Sequence, residues 1–127
     1  MDFDTLHFFE LQKHSDALPL YEALEGRILE EIPGVRIKVQ KSQITFYNKH
    51  LFACVSYVRV RKKAQLPPCY MVVTVGLARK VDSPRIAVAT EPYPGRWTHH
   101  IVVSSLGEID DELMGWVKEA AAFAAAK

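Results

Sequence analysis

The spacing of apolar residues changes character twice along the chain. Between Asp4 and Lys13, Leu6, Phe8 and Phe9 predict a short helix that Asp4 or Thr5 can cap. From Ser15 or Asp16, Ala17, Tyr21, Leu24, Ile28 and Ile32 recur at helical spacing, with Pro19 in the first turn and Pro33-Gly34 as the stop. The period then becomes two. Val35, Ile37 and Val39 alternate with Arg36, Lys38 and Gln40, and Ile44 and Phe46 alternate with Gln43, Thr45 and Tyr47. These read as two half-buried strands joined at Lys41-Ser42. Asn48-Lys49-His50 is the next turn. A longer strand is expected from Leu51 to Arg61, with Val58 and Val60 inward and Arg59 and Arg61 outward. Lys62 to Pro68 reads as a basic loop and Tyr70 to Leu77 as a strand. Arg85 to Ala89 reads as a short strand, Glu91 to Arg96 as a Pro-rich loop, and Thr98 to Val103 as the last strand. Helical spacing returns in Ile109, Leu113, Trp116, Val117, Ala120 and Ala124, and the Ser105/Glu108 pair has the form of a capping box for this final helix.

The order helix, helix, five or six strands, helix predicts a single α+β domain over residues 1–127. Short connections between successive strands make the sheet mostly antiparallel. The N-terminal helices and the C-terminal helix would cover one face and leave the other to water or to a partner. The length suits one domain with a core of its own, and 49% hydrophobic with 24% charged residues excludes disorder and fibrous classes. No apolar run reaches the roughly 18 residues of a membrane helix, and the acidic start lacks the basic region of a signal peptide. Cys54 and Cys69 have no pairing motif, so reduced thiols in a cytoplasm are expected. Cys54 reads as a core thiol and Cys69, beside Pro68, as the more exposed one.

Charge changes the picture more than composition does. The net charge is only +1, but residues 1–32 hold eight acids and two bases, residues 33–100 twelve bases and two acids, and residues 101–127 five acids and two bases. Either acidic helices and a basic sheet neutralise each other, or the basic block is a functional surface. By alternation the uncovered face would carry Arg36, Lys38, Gln43, Thr45, Tyr47, Tyr57, Arg59, Arg61, Tyr70 and Thr74. Cations and tyrosines on one sheet are the ingredients of a single-strand nucleic-acid platform. They are also ordinary residues of a solvated sheet. Val55 and Val72, placed on the same face, would instead favour a dimer surface.

The most distinctive segment is Glu91-Pro92-Tyr93-Pro94-Gly95-Arg96-Trp97-Thr98-His99-His100. Arg96 offers a planar fork for carboxylate or phosphate, and Tyr93 and Trp97 offer ring faces. The alternative is that Tyr93 and Trp97 plug the core while Arg96 pairs with an acid such as Glu119 or Asp82. His99 and His100 are adjacent on a strand and point to opposite faces, so they do not share a metal. No metal-ligand spacing, Walker loop or G-x-G-x-x-G is present, and no cofactor is expected. No Ser or Cys stands in a nucleophile motif. Thr98, two residues from His100, lies too far along the strand for direct activation. Gly76, alone in a strand, marks a bulge or a close packing contact.

Leu20-Tyr21-Glu22-Ala23-Leu24, Val39-Gln40-Lys41 with Ile44-Thr45-Phe46, Phe52-Ala53, and Glu108-Ile109-Asp110 ahead of Trp116 and Glu119-Ala120 appear in an order that resembles an uncharacterised bacterial family, Domain of Unknown Function 5655. The likeness runs from about Leu18 to the C-terminus. It implies an accessory α+β domain, found alone or at the C-terminus of larger bacterial proteins, some of them nuclease-like. It transfers no catalytic residue. The reading that follows is a non-enzymatic binding module for a phosphate-bearing ligand, a nucleic acid or an acidic protein surface. The candidate residues are Lys38, Lys41, Tyr47, Arg59, Arg61, Tyr93, Arg96, Trp97 and His100. The alternatives are a small hydrolase or transferase using His99 or His100, and a homodimerisation or interaction domain.

Overall fold

A computed structural model of the chain describes residues 2–127. Helix α1 spans Phe3–Leu11 and α2 Leu18–Glu31, with a single 3₁₀ turn at Ser15–Ala17 between them. Six strands follow: β1 Arg36–Val39, β2 Gln43–Tyr47, β3 Leu51–Ser56, β4 Met71–Leu77, β5 Ile86–Tyr93 and β6 Arg96–Val103. Helix α3, Asp111–Ala125, ends the fold. All strand pairs are antiparallel, in the order β1-β2-β3-β4-β6-β5. Only the β4–β5 connection departs from a meander: it passes beyond the position that β6 later fills.

The predicted class, α+β with an antiparallel sheet and helices from both ends of the chain packed on it, is the observed one. Period-two alternation sends Ile44, Phe46, Ala53, Val55, Val73, Val75, Ile101 and Val103 into one core with Phe9, Leu24, Ile28, Leu113 and Val117 of the helices. Trp116 and Ile28 are buried as expected, and the α2 and α3 stripes read from the spacing are buried throughout. A bulge opposite the Phe46–Tyr47 step leaves Phe52 unpaired with β2, and Phe52 joins the core.

Several local readings need correction. Asp2, not Asp4 or Thr5, caps α1, and Leu6 remains substantially exposed. The Ser105/Glu108 pair closes a 3₁₀ turn at Leu106–Glu108, where the Glu108 carboxylate accepts from the amides of Ser104 and Ser105. Asp110 is the cap of α3 and accepts from the Leu113 amide at 3.0 Å.

Strand β3 stops at Ser56, five residues before the expected end at Arg61. Ser56 pairs with Gln43, the first residue of β2, and with Val72, the second of β4. Beyond it neither neighbour offers a ladder. The alternating Val-Arg-Val-Arg run therefore has no strand to join, and Val58 is exposed rather than inward. The Pro-rich segment is the reverse case. Glu91 to Tyr93 extend β5, Arg96 opens β6, and Pro94-Gly95 is the two-residue hairpin turn between them. Gly95 has φ +81°, the conformation that follows Pro in a type II turn. Pro92 is tolerated because β5 is an edge strand.

The face away from the helices is less bare than alternation suggests. Val55 is not on it: in register with Ile44 and Val73, it belongs to the core. Val72 and Thr45 are on it, but both are fully buried. The apolar patch that Val55 and Val72 would have formed does not exist.

Candidate functional site

The strongest concentration of free charge lies in the β3–β4 connection, and three local devices build it. Helix α1 ends with the His14 amide donating to the Phe9 carbonyl and the Lys13 amide to the Glu10 carbonyl, both at 3.0 Å. This Schellman arrangement puts Lys13 at φ +63° and turns the chain so that His14 lies flat on Tyr57. The two rings are 4.1 Å apart and 4° from parallel. Tyr57, the first residue past β3, donates its hydroxyl to the Tyr70 carbonyl at 2.8 Å and so ties the two ends of the connection together. Between them, a 3₁₀ turn at Lys63–Gln65 and the Pro67-Pro68 pair shape the loop.

The result is a hollow of about 470 Å³, within the usual size of small-ligand sites. His14, Tyr57 and Tyr70 line it with rings, Leu66, Pro67 and Pro68 with apolar surface, and Arg59, Arg61 and Lys63 with charge. None of these three cations has an acidic partner among the described residues. Tyr57 was expected on the uncovered sheet face. Instead it packs against Phe8, Phe9, His14 and Tyr70, because the strand has ended and the chain folds over α1. Burial pushes its phenol well above the ordinary value of 10, and burial raises Tyr70 too. Both are neutral hydroxyls. Tyr57 is a packed ring rather than a free platform for bases.

A second region lies toward the other end of β4. Arg96 sits on the same face as Thr98, which opposes Gly76. A Cβ on Gly76 would meet the Arg96 guanidinium at 2.7–2.9 Å, so Gly76 marks close packing, one of the two readings its position suggested. The guanidinium is 6.0 Å from the Tyr93 ring. Arg96 pairs with neither acid proposed for it: Glu119 is taken by Arg79 and Asp82 lies by Lys80. The Glu91 carboxylate, on the same hairpin, accepts from the Gly95 amide.

The adjacent histidines divide as expected. His99 is fully buried on the helix side, where its Nε2 accepts from the Val81 amide at 3.0 Å and its Nδ1 finds no partner. Burial lowers its pKa. His100 faces away from the helices, and its Nδ1 is 2.8 Å from Thr74 Oγ1. Burial lowers its pKa as well, and the imidazole is neutral near pH 7. Thr74, not Thr98, thus supplies a hydroxyl within reach of an imidazole, because it is the cross-strand partner of His100. No carboxylate orients that ring among the described residues. Cys54 stands in the same cross-strand row, opposite Thr74 and away from the core. Burial raises its thiol pKa, which disfavours a nucleophilic thiolate. Cys69 is half-buried and donates to the Asp16 carbonyl.

The remaining candidates lie apart. Trp97 faces the helix side opposite Leu77, with Lys80 over its ring at 5.7 Å. Lys38 and Tyr47, with Arg36, line a shallow hollow of about 330 Å³ at the β1 edge. Lys41 lies beside α1, and its carbonyl accepts from Gln12. The structure therefore unites Arg59 with Arg61, Tyr93 with Arg96 and Lys38 with Tyr47, but it does not gather all nine candidates into one site. Sequence reasoning passed over His14 and Lys63 as site residues. The available signal was the density of four cations in five residues, Arg59, Arg61, Lys62 and Lys63.

No group of three or more metal-ligating side chains occurs among the described residues, and no helix among them is long and apolar enough to cross a membrane. No curated protein and no solved structure matches the chain. A family profile matches residues 8–124, starting ten residues earlier than the motif order suggested and so taking in the end of α1 and the His14 turn. The chain belongs to the family described as Domain of unknown function (DUF5655).

Proposed function

We propose that this domain is a binding module for a phosphate-bearing ligand and that the β3–β4 hollow is its site. The observation that carries this reading is the set of three cations, Arg59, Arg61 and Lys63, left without acids around a wall of rings and prolines. Guanidinium forks suit phosphate oxygens, and the Tyr70 and His14 rings suit the organic part of a ligand. A single-stranded nucleic acid is the extended form of the same chemistry. Its affinity would fall by about 0.7 decades per decade of salt for each phosphate contacted.

The test is a titration with a nucleoside triphosphate and with a short single-stranded oligonucleotide at low salt. Binding that Arg59→Glu with Arg61→Glu removes, while the circular dichroism spectrum is unchanged, supports the reading. Binding indifferent to that double reversal sinks it. The 2.8 Å contact between Thr74 and His100 favours a second reading, acyl transfer from an activated ester: His100 Nδ1 takes the hydroxyl proton, Thr74 Oγ1 bonds to the acyl carbon, the ester C–O bond breaks, and the alcohol leaves with the proton from His100. A stable mass increase on Thr74 after incubation with an activated ester, lost in His100→Gln, would support it.

A further inference from the structure

Gly76 sits in β4, a central strand, where a glycine ordinarily weakens a sheet. Its backbone does not require glycine: positive φ occurs at Gly34 and Gly95, not at Gly76. The reason for glycine is spatial. All three atoms nearest to a would-be Cβ are Nη2, Cζ and Nη1 of Arg96. The guanidinium therefore lies flat on the strand in the space that any side chain at 76 would fill. Arg27, Arg79 and Arg85 each hold a carboxylate, whereas Arg96 has none among the described residues. A guanidinium without a carboxylate keeps its planar fork of donors open to an oxyanion.

We infer that Gly76 and Arg96 form a second anion site, in which the glycine notch seats the guanidinium and its free edge takes a phosphate group. Thr98 and His100 follow Arg96 on the same strand face and supply further donors. With Thr74 Oγ1 donating to Nδ1, the neutral His100 ring keeps its proton on Nε2 and offers it outward. Tyr70, at the β3–β4 hollow, and Gly76 are six residues apart, about 20 Å along an extended chain. One small ligand cannot touch both, and this inference stands independently of the hollow.

The experiment is a titration of isotope-labelled protein with inorganic phosphate at pH 7 and low salt, following the Arg96 Nε–H and His100 ring resonances. Saturable shifts are expected in the native protein and, unchanged, in Arg59→Glu with Arg61→Glu. Gly76→Ala leaves the backbone angles allowed but displaces the guanidinium. It should weaken phosphate binding roughly tenfold, the loss of about one charge-assisted hydrogen bond. Arg96→Lys keeps the charge, loses the fork and needs no extra space, so it should weaken binding similarly even if the alanine variant folds poorly. Any of three results overturns the inference: resonances of Arg96 that do not move with phosphate, native affinity in Arg96→Lys, or native affinity in a folded Gly76→Ala.

Discussion

Two connections of this protein are rich in cations, and they use them in opposite ways. Ion pairs tie the β4–β5 connection to α3 and its cap. There Arg79 bonds both oxygens of Glu119 at 2.8 and 3.0 Å, and Arg85 reaches Asp110 and Glu112 while lying over the Trp116 ring at 5.6 Å. The carboxyls respond. Arg79 holds Glu119 below its ordinary pKa, and the Leu113 amide together with Arg85 does the same for Asp110. The β3–β4 connection carries a comparable number of cations, but it lies against rings and prolines, and no acid faces Arg59, Arg61 or Lys63 among the described residues. Positive charge in a sequence is therefore not yet a binding surface. What matters is whether the fold brings an acid to it. The neutralisation reading of the basic block holds for the β4–β5 connection, and the β3–β4 connection keeps its cations unpaired among the described residues.

Disrupting the paired side should cost stability. Trp116→Ala removes the ring on which Arg85 rests and opens the core between α3 and the sheet. The expected loss is about 3–5 kcal/mol, read by chemical denaturation. A midpoint unchanged from the native protein would make α3 peripheral.

Arg85→Ala should cost about 1–2 kcal/mol, because it leaves the Glu108 carbonyl and the Glu112 carboxylate without the half-buried guanidinium as donor and Asp110 with the Leu113 amide alone. Arg59→Ala, by contrast, should leave the melting temperature in place and weaken binding of a phosphate-bearing ligand. Equal thermal shifts in the two variants would erase the distinction between the loops.

The histidine pair sharpens it further through pH. His99 ties the paired connection to β6 through the Val81 amide, and Arg79 and Glu119 are the charged groups near it. Burial lowers the folded pKa below the ordinary 6.5. The unfolded chain then takes up the proton first, so stability is fully present above pH 6.5 and declines as pH falls from there toward the lowered value. His100, lowered for the same reason, adds to the decline. Denaturation midpoints between pH 7 and 5 should fall, with a shallower slope in His99→Gln. An unchanged slope in that variant would assign the effect to His100.

The smallest effect concerns the turn that delivers His14 to the hollow. Lys13 occupies the left-handed position where glycine is favoured. Lys13→Gly should raise stability by about 0.5–1 kcal/mol without changing ligand affinity. A loss of affinity would mean that Lys13 itself contacts the ligand.

Much of this architecture is legible in the sequence because its signals are local. The apolar stripes of α2 and α3, the turns at Lys41-Ser42 and Asn48-His50, and the alternation in β2 and β4 each lie within a few residues. The same local rules misread the segments on either side of the sites. Val58 to Arg61 alternate like a strand yet have no neighbour to pair with. Glu91 to Tyr93 are punctuated by proline yet pair with β6. Alternation also assigned Tyr57, Val55 and Cys54 to the wrong sides, since their faces depend on where a strand ends and on its register.

By itself the sequence determined the helices, the turns, the antiparallel α+β class and the presence of a strongly basic middle, because each depends on spacing or local chemistry. Only the tertiary structure decided which cations are neutralised: Arg79 and Glu119 are 40 residues apart, and Arg85 and Asp110 are 25 apart. It likewise decided that Thr74 meets His100, that Arg96 lies on Gly76, and that His14 caps the hollow with Tyr57. Each is a meeting of side chains from separate elements, and no periodicity within one element carries information about what the next will bring against it.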